Sequence, residues 1–310
     1  MKNFLNISDH SPNELRAIID EAKARKIKRK ELNKSAPDED KPFEGKSIAM
    51  IFEKPSTRTR ISFDIAAKQL GGSSIILNPD GIHYGKGNES LKDTARVLTE
   101  YVDIVMLRTS SHKNLEEFGK YLDIPIINGL SDISHPCQIM SDILTYEESN
   151  GLITGKTISW LGDGNNNMSN SLIEAASKFN FNLKIGCPKK YAPNKKILSW
   201  AKKNKVNLLV TQKPGEAIKE SDCVMTDKWV SMNDKVDKKL KKKNLKPYQV
   251  NKKLMSQANP DAIFMHCLPV GRGEEVTDEV IDGNQSVVWR QALNRVHVQK
   301  SVIKWCLDLR

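Results

Sequence analysis

Ile48-Ala49-Met50-Ile51-Phe52 runs directly into Glu53-Lys54-Pro55-Ser56-Thr57-Arg58-Thr59-Arg60, after which Ile61, Phe63, Ile65 and Ala66 recur at helical spacing. A short unbroken apolar run, a polar loop and an amphipathic helix together open a βαβ unit, because a strand covered on both faces needs no polar side. The rhythm continues on both sides of that stretch. Apolar runs at 73–77, 104–107 and 125–127 complete one set, and after Asn150-Gly151 further runs stand at 157–161, 183–186, 207–210, 222–225, 263–266 and 286–288. The expected fold class is α/β, with two doubly wound parallel-sheet domains and interdomain helices. The expected division is residues 1–133, joined by a C-terminal helix at 291–310, and residues 134–290. Near the start, Ser11, Pro12 and Glu14 read as the N-cap, first residue and capping-box partner of a helix carrying Leu15, Ile18, Ile19 and Ala22. Residues 23–45, lysine-rich and broken by Pro37 and Pro42, read as an exposed helix end and a connecting loop.

A chain of 310 residues exceeds the usual size of one hydrophobic core, which agrees with two domains. Hydrophobic residues at 38% and charged residues at 28% are ordinary for a globular protein and exclude a disordered one. The net charge of +11 raises the question of anionic partners. Its densest run, Lys235, Lys238, Lys239, Lys241, Lys242, Lys243 and Lys246, lacks the interleaved aromatics that stack on bases, so it reads as a solvated face and nucleic acid is not an expected partner. Residues 1–20 hold no continuous apolar stretch, so neither a signal peptide nor a membrane anchor is expected, and the expected compartment is the cytoplasm. Cys137, Cys187, Cys223, Cys267 and Cys306 are odd in number and widely spaced, which fits free thiols and suggests no metal site.

In open parallel sheets ligands gather at the carboxyl ends of strands, where loops meet helix N-termini. The loop after 48–52 sets three hydroxyls and two guanidinium groups at a helix start, a setting that favours an anion such as phosphate. A plain Ser/Thr cap would use one hydroxyl and leave the rest unexplained. Arg108 ends the run 104–107 and is positioned to clamp the same anion. After 125–127 come Asn128-Gly129-Leu130 and then Ser134-His135-Pro136-Cys137-Gln138, where Pro136 fixes the backbone beyond His135 and presents imidazole and amide at a sheet edge. Leu161-Gly162-Asp163-Gly164-Asn165-Asn166-Asn167 begins like a dinucleotide fingerprint but fails it. Asn167 stands where Gly or Ala is required, and no acidic residue follows the next strand, which ends Gly186-Cys187-Pro188. An amide-rich loop for a polar small molecule is the reading that remains. Asp227 and Cys267 add an acid and a thiol at two further strand ends; singly, each has an ordinary account as a helix cap and a small buried apolar residue.

Together, Ser56-Thr57-Arg58-Thr59-Arg60, His135-Pro136-Cys137-Gln138, Asp227 with Ser231-Met232, and His266-Cys267-Leu268-Pro269 occur in the order and spacing of the transcarbamylase family. The chain resembles the ornithine-using members of that family over essentially its whole length. The resemblance implies that residues 1–133 bind carbamoyl phosphate and residues 134–290 bind L-ornithine, with carbamoyl transfer to the side-chain amine giving L-citrulline and phosphate in arginine metabolism. It implies that Ser56, Thr57, Arg58, Thr59 and Arg108 hold the phosphate, that His135 and Gln138 hold the carbamoyl oxygen and amide, and that Arg295 reaches the same substrate. It further implies that Asn167, Asp227, Ser231 and Met232 hold the amino acid, with Cys267 and Leu268 beside the reacting amine and the Leu268-Pro269 bond cis. Arg108, His135, Asp227 and Cys267 are then the expected catalytic groups. A homotrimer is implied, with His83 reaching the site of a neighbouring subunit. The chemistry calls for no metal or organic cofactor: phosphate is already a good leaving group, and the protein must supply juxtaposition and positive charge.

Three positions depart from the family pattern. His83 stands where relatives carry glutamine, in a loop one residue longer; Trp289-Arg290-Gln291-Ala292-Leu293 replaces an acidic stretch; and Asn233 replaces a glycine after Ser231-Met232. The rival acceptors are N-acylornithine, putrescine and aspartate. From other classes, a silent anion-binding paralogue or a basic RNA-binding protein remain as alternatives.

Overall fold

The structure is a computed structural model that describes residues 2–78, 89–230 and 237–309. Helix α1 (Pro12–Lys28) starts with the expected capping box, in which Ser11 accepts from the Glu14 amide and Glu14 accepts from the Ser11 amide. Its buried stripe is Leu15, Ile18, Ile19 and Ala22. There follow β1 (Ser47–Phe52), α2 (Thr57–Gln69), β2 (Ser73–Leu77), α3 (Leu91–Tyr101), β3 (Ile104–Arg108), α4 (His112–Gly119) and β4 (Ile126–Leu130). These strands form a parallel sheet in the order β2-β1-β3-β4. Ala49, Ile51, Val105 and Leu107 pack with Leu115, Phe118 and Leu122 on one face of it. Each fully buried Val, Leu, Ile or Phe side chain among these stabilises the fold by ~1.5–3 kcal/mol.

Helix α5 (Pro136–Asn150) leads to β5 (Thr157–Leu161), α6 (Asn167–Phe179), β6 (Asn182–Gly186), α7 (Lys195–Lys203), β7 (Leu208–Thr211), α8 (Pro214–Ile218) and β8 (Cys223–Thr226). Then come α9 (Lys238–Leu245), α10 (Lys252–Met255), β9 (Ile263–His266), α11 (Asp278–Ile281) and α12 (Val288–Cys306). This second sheet is also parallel, in the order β7-β6-β5-β8-β9. The chain divides into two compact units, Met1–Leu144 with Leu293–Arg310, and Thr145–Ala292. This division falls inside α5, between Leu144 and Thr145, eleven residues beyond the expected 133/134.

Two expected elements differ. Residues 286–288 are not a strand: Ser286 makes a lone bridge to Phe264, and Val288 already opens α12, whose apolar residues repeat at helical spacing. Residues 128–130, read as a loop, extend β4. Leu107 pairs with Asn128 but Arg108 pairs with Leu130, so one extra residue, Gly129, bulges beside Arg108. A Cβ there would stand 2.2 Å from the Met106 sulfur, so a larger residue would force the Met106 side chain to shift.

Residues 23–45 are mostly exposed, as expected, but Arg25, Arg29, Asp38 and Phe43 within them are buried. Asp38 accepts from Arg25 (2.8 Å), Arg29 (2.6 Å) and the fully buried Lys300 of α12 (2.8 and 3.0 Å). Lys300 also donates to Gln69 at the end of α2, and Lys304 donates to Glu21 on α1. The lysine run likewise has an exception: Lys241, on α9, is buried and pairs with Asp163 at 2.6 Å. Among the described residues, no helix is long and apolar enough to cross a membrane.

Candidate functional site

Strand order decides which loops meet. In the first sheet the chain passes from β1 outward to β2 and from β3 outward to β4, so the carboxyl ends of β1 and β3 flank the switch point where ligands bind in such folds. Those two ends carry residues 53–59 and Arg108. Glu53 ties them together, its amide donating to the Arg108 carbonyl (3.0 Å) and its carboxylate accepting from the Ser110 amide (2.9 Å).

Ser56 is the N-cap residue of α2, yet its hydroxyl makes no capping hydrogen bond, so capping does not account for it. Thr59 is fully buried, and its hydroxyl accepts from two guanidinium groups, Arg108 Nη1 at 3.2 Å and Arg295 Nη2 at 2.9 Å. Arg295 Nη1 donates to Gln138 Oε1 at 3.0 Å, and Gln138 Nε2 donates to Asp142 at 2.8 Å, which fixes the orientation of the amide. His135, at the start of α5, is almost wholly buried; burial first, and then the nearby Arg295, Arg108 and Arg58, hold its pKa well below the ordinary histidine value. It is therefore a neutral imidazole at physiological pH. Arg58 and Arg108 are half-buried, Thr57 is exposed, and Arg60 turns aside to stack on Phe52 and donate to Asn78. Ser56, Thr57, Arg58, Thr59, Arg108, His135, Gln138 and Arg295 thus all fall within one compact unit. Sequence reading missed Asp142; its only signal was its position four residues after Gln138 on one helix face.

The second sheet has its switch point between β5 and β8. After β5, Asn166 caps α6 by accepting from the Ser169 amide (2.8 Å), and Asn165 accepts from Asn194 (3.2 Å), so two of the three amides serve the fold. Asn167, half-buried, occupies the first turn of α6. After β8, Asp227 accepts from the Lys228 amide (2.7 Å) and from the Cys267 thiol (3.2 Å), and no helix starts there for it to cap. After β9, Cys267 and Leu268 are half-buried and the Leu268–Pro269 bond is cis. Asp227, His266 and Cys267 bring ligand-type atoms within 4.8 Å of one another. Both ring nitrogens of His266 are nevertheless engaged, with Glu275 and with the Leu268 amide, and hold the imidazole to the protein. His83, Ser231, Met232 and Asn233 lie outside the described residues.

Burial separates the thiols. Cys137, Cys187, Cys223 and Cys306 are buried and Cys267 is not; burial pushes Cys137 and Cys187 up to about 12. One thiol, Cys267, is expected to react with an aromatic disulfide reagent in the native protein, and the rest only after unfolding. Fast reaction of a second thiol without denaturant would contradict this burial pattern.

The family domain described as "Aspartate/ornithine carbamoyltransferase, carbamoyl-P binding domain" matches residues 2–148, and "Aspartate/ornithine carbamoyltransferase, Asp/Orn binding domain" matches residues 154–306. Ornithine carbamoyltransferase of Brucella suis is 49% identical over 310 residues, covering 100% of this chain and 97% of that protein. That of Rhodopseudomonas palustris is 50% identical over 305 residues, 98% of this chain and 97% of that protein. Among solved structures, ornithine carbamoyltransferase from Pyrococcus furiosus superposes with a TM-score of 0.91 at 42% identity, over 98% of this chain and 96% of that one. The anabolic enzyme from Campylobacter jejuni gives 0.90 at 37% identity over the whole of both chains. With these matches spanning both sheets and their loops, the chain belongs to the aspartate/ornithine carbamoyltransferase family.

Proposed function

We propose that this chain transfers the carbamoyl group of carbamoyl phosphate to the side-chain amine of L-ornithine, giving L-citrulline and phosphate. The observation that carries the reading is the buried arginine network on Thr59, in which Arg108 and Arg295 converge on one hydroxyl beside His135 and Gln138. Two guanidinium groups gathered at an α-helix N-terminus form a site for a phosphorylated, doubly anionic ligand.

The mechanism follows from the chemistry of the acyl donor. The neutral amine attacks the carbamoyl carbon, forming a C–N bond while negative charge grows on the carbonyl oxygen. The bond from that carbon to the phosphate oxygen then breaks, and phosphate departs with the electron pair and takes up the amine proton. Arg58, Arg108 and Arg295, with Ser56, Thr57 and Thr59, offset the charge on the phosphate. His135 is held neutral and donates a hydrogen bond to the carbonyl oxygen, and its lowered pKa makes it a poor competitor for the amine proton. Asp227 and Cys267, joined by a hydrogen bond, orient the amine of ornithine, with Asn167, Ser231, Met232 and Leu268 holding the rest of the amino acid. A role in arginine metabolism, a cytoplasmic location and a homotrimer to which His83 contributes across subunits belong to the same reading.

Incubation with carbamoyl phosphate and each candidate acceptor, followed by a colorimetric ureido assay, tests this. Citrulline is expected from ornithine, and background from putrescine, N-acylornithine and aspartate. Turnover of putrescine with none of ornithine would overturn the acceptor assignment.

A further inference from the structure

The turn that follows β9 is held from beneath by two side chains with no exposed surface, His266 and Glu275, neither of which has a part in the reaction described above. The Leu268 amide donates to His266 Nδ1 at 2.8 Å, which makes that nitrogen the acceptor and puts the ring proton on Nε2. Nε2 in turn faces Glu275 Oε1 at 3.1 Å, and the same carboxylate oxygen accepts from the Gly271 amide. The His266 amide donates to Gln291 Oε1 at 2.9 Å, fixing the end of the strand as well.

The turn needs such support. Leu268 has a φ of +58°, in the left-handed region that a non-glycine residue adopts only with support. Without the bond to the imidazole, its peptide has no reason to stay there, and Cys267 would lose its fixed approach to Asp227. The second carboxylate oxygen, Oε2, is buried with no hydrogen-bond partner among the described residues, and it lies against Gly271, where a Cβ would come within 2.6 Å. Gly271 therefore leaves room for Glu275 under the turn.

We infer that Glu275 and His266 are a positioning pair for the acceptor amine: the carboxylate sets the tautomer of the imidazole, and the imidazole locks the Leu268 backbone that aligns Cys267 with Asp227. The inference rests on the proposed ornithine reading of that turn. A merely structural pair would change stability while leaving the two substrates equally affected.

Steady-state kinetics on the full chain, varying each substrate in turn, separates the two roles. Glu275→Leu is expected to raise KM for ornithine about tenfold or more, with KM for carbamoyl phosphate within about twofold of the parent. Glu275→Gln keeps an oxygen acceptor for His266 and Gly271 and is expected to restore ornithine KM to within about threefold. A parallel rise in both KM values, or a Gln variant as impaired as the Leu variant, overturns the inference. Should Glu275→Leu fail to fold, Gly271→Ala displaces the carboxylate without removing it, and an unchanged ornithine KM in that variant overturns the pair's role. The alkylation rate of Cys267 provides a readout independent of turnover. It is expected to rise severalfold in Glu275→Leu, and a parental rate there counts against the pair even if ornithine proved not to be the acceptor.

Discussion

Arg108→Ala is expected to lower kcat/KM for carbamoyl phosphate about a hundred- to a thousandfold, ~3 to 4 kcal/mol of transition-state stabilisation. Arg108 is rigid for three separate reasons: it ends β3, it sits beside the Gly129 bulge, and its guanidinium donates to Thr59 at 3.2 Å. A fixed cation costs no reorganisation when charge develops, which is why its removal weighs more than the loss of one surface charge. Arg295 shares the same hydroxyl but does not replace it, because its other nitrogen is committed to Gln138. Arg108→Lys is expected to recover little, since a single ammonium cannot reproduce the fork. Steady-state kinetics with carbamoyl phosphate varied is the measurement, and parental kcat/KM in Arg108→Ala would remove this residue from the site.

The second large effect is on stability. Asp38→Ala is expected to cost about 3 to 5 kcal/mol, because it leaves Arg25, Arg29 and Lys300 buried around a missing anion. Burial opposes ionisation of Asp38, but hydrogen bonds from Lys300 and Arg29 outweigh it and hold the carboxyl below its ordinary value. The sign follows: with a folded pKa below the unfolded one, the contribution is complete above the unfolded value of about 4 and is lost as pH falls through the depressed folded value. The gap between parent and variant in denaturant titrations is therefore expected to be wide at neutral pH and to close in acid. A gap of less than about 1 kcal/mol at pH 7 would mean that the cluster is solvated like a surface pair.

These two effects differ in how far the sequence foretold them. The loop at 53–60 and Arg108 were legible because each follows an apolar run, and parallel sheets gather ligands at strand ends. The Asp38 cluster was not. Asp38 and Lys300 lie 262 positions apart, and residues 23–45 have the composition of an exposed connection. No local pattern distinguishes a lysine that solvates a surface from one that crosses the core to meet a carboxylate. Lys241 repeats the lesson, buried against Asp163 within a run of otherwise similar residues.

The strand at 286–288 failed for a related reason. Three apolar residues satisfy either period, and here the longer helical pattern of α12 won. The expected strand stopped at Ile127, yet β4 continues to Leu130, with Asn128 paired to Leu107 and Leu130 to Arg108 around the Gly129 bulge.

By itself the sequence determined the class of fold, the number of sheets, most strand positions and the placement of the 53–59 loop and Arg108 at strand ends, because periodicity and strand-end position are local properties. Only the tertiary structure decided that Thr59 joins two arginines, that Asn165 and Asn166 serve the fold while Asn167 heads its helix, and that His266 and Glu275 brace the turn after β9. Those outcomes depend on which distant side chains share a buried, low-dielectric space, where an unpaired polar group is too costly to leave and every donor must find its acceptor.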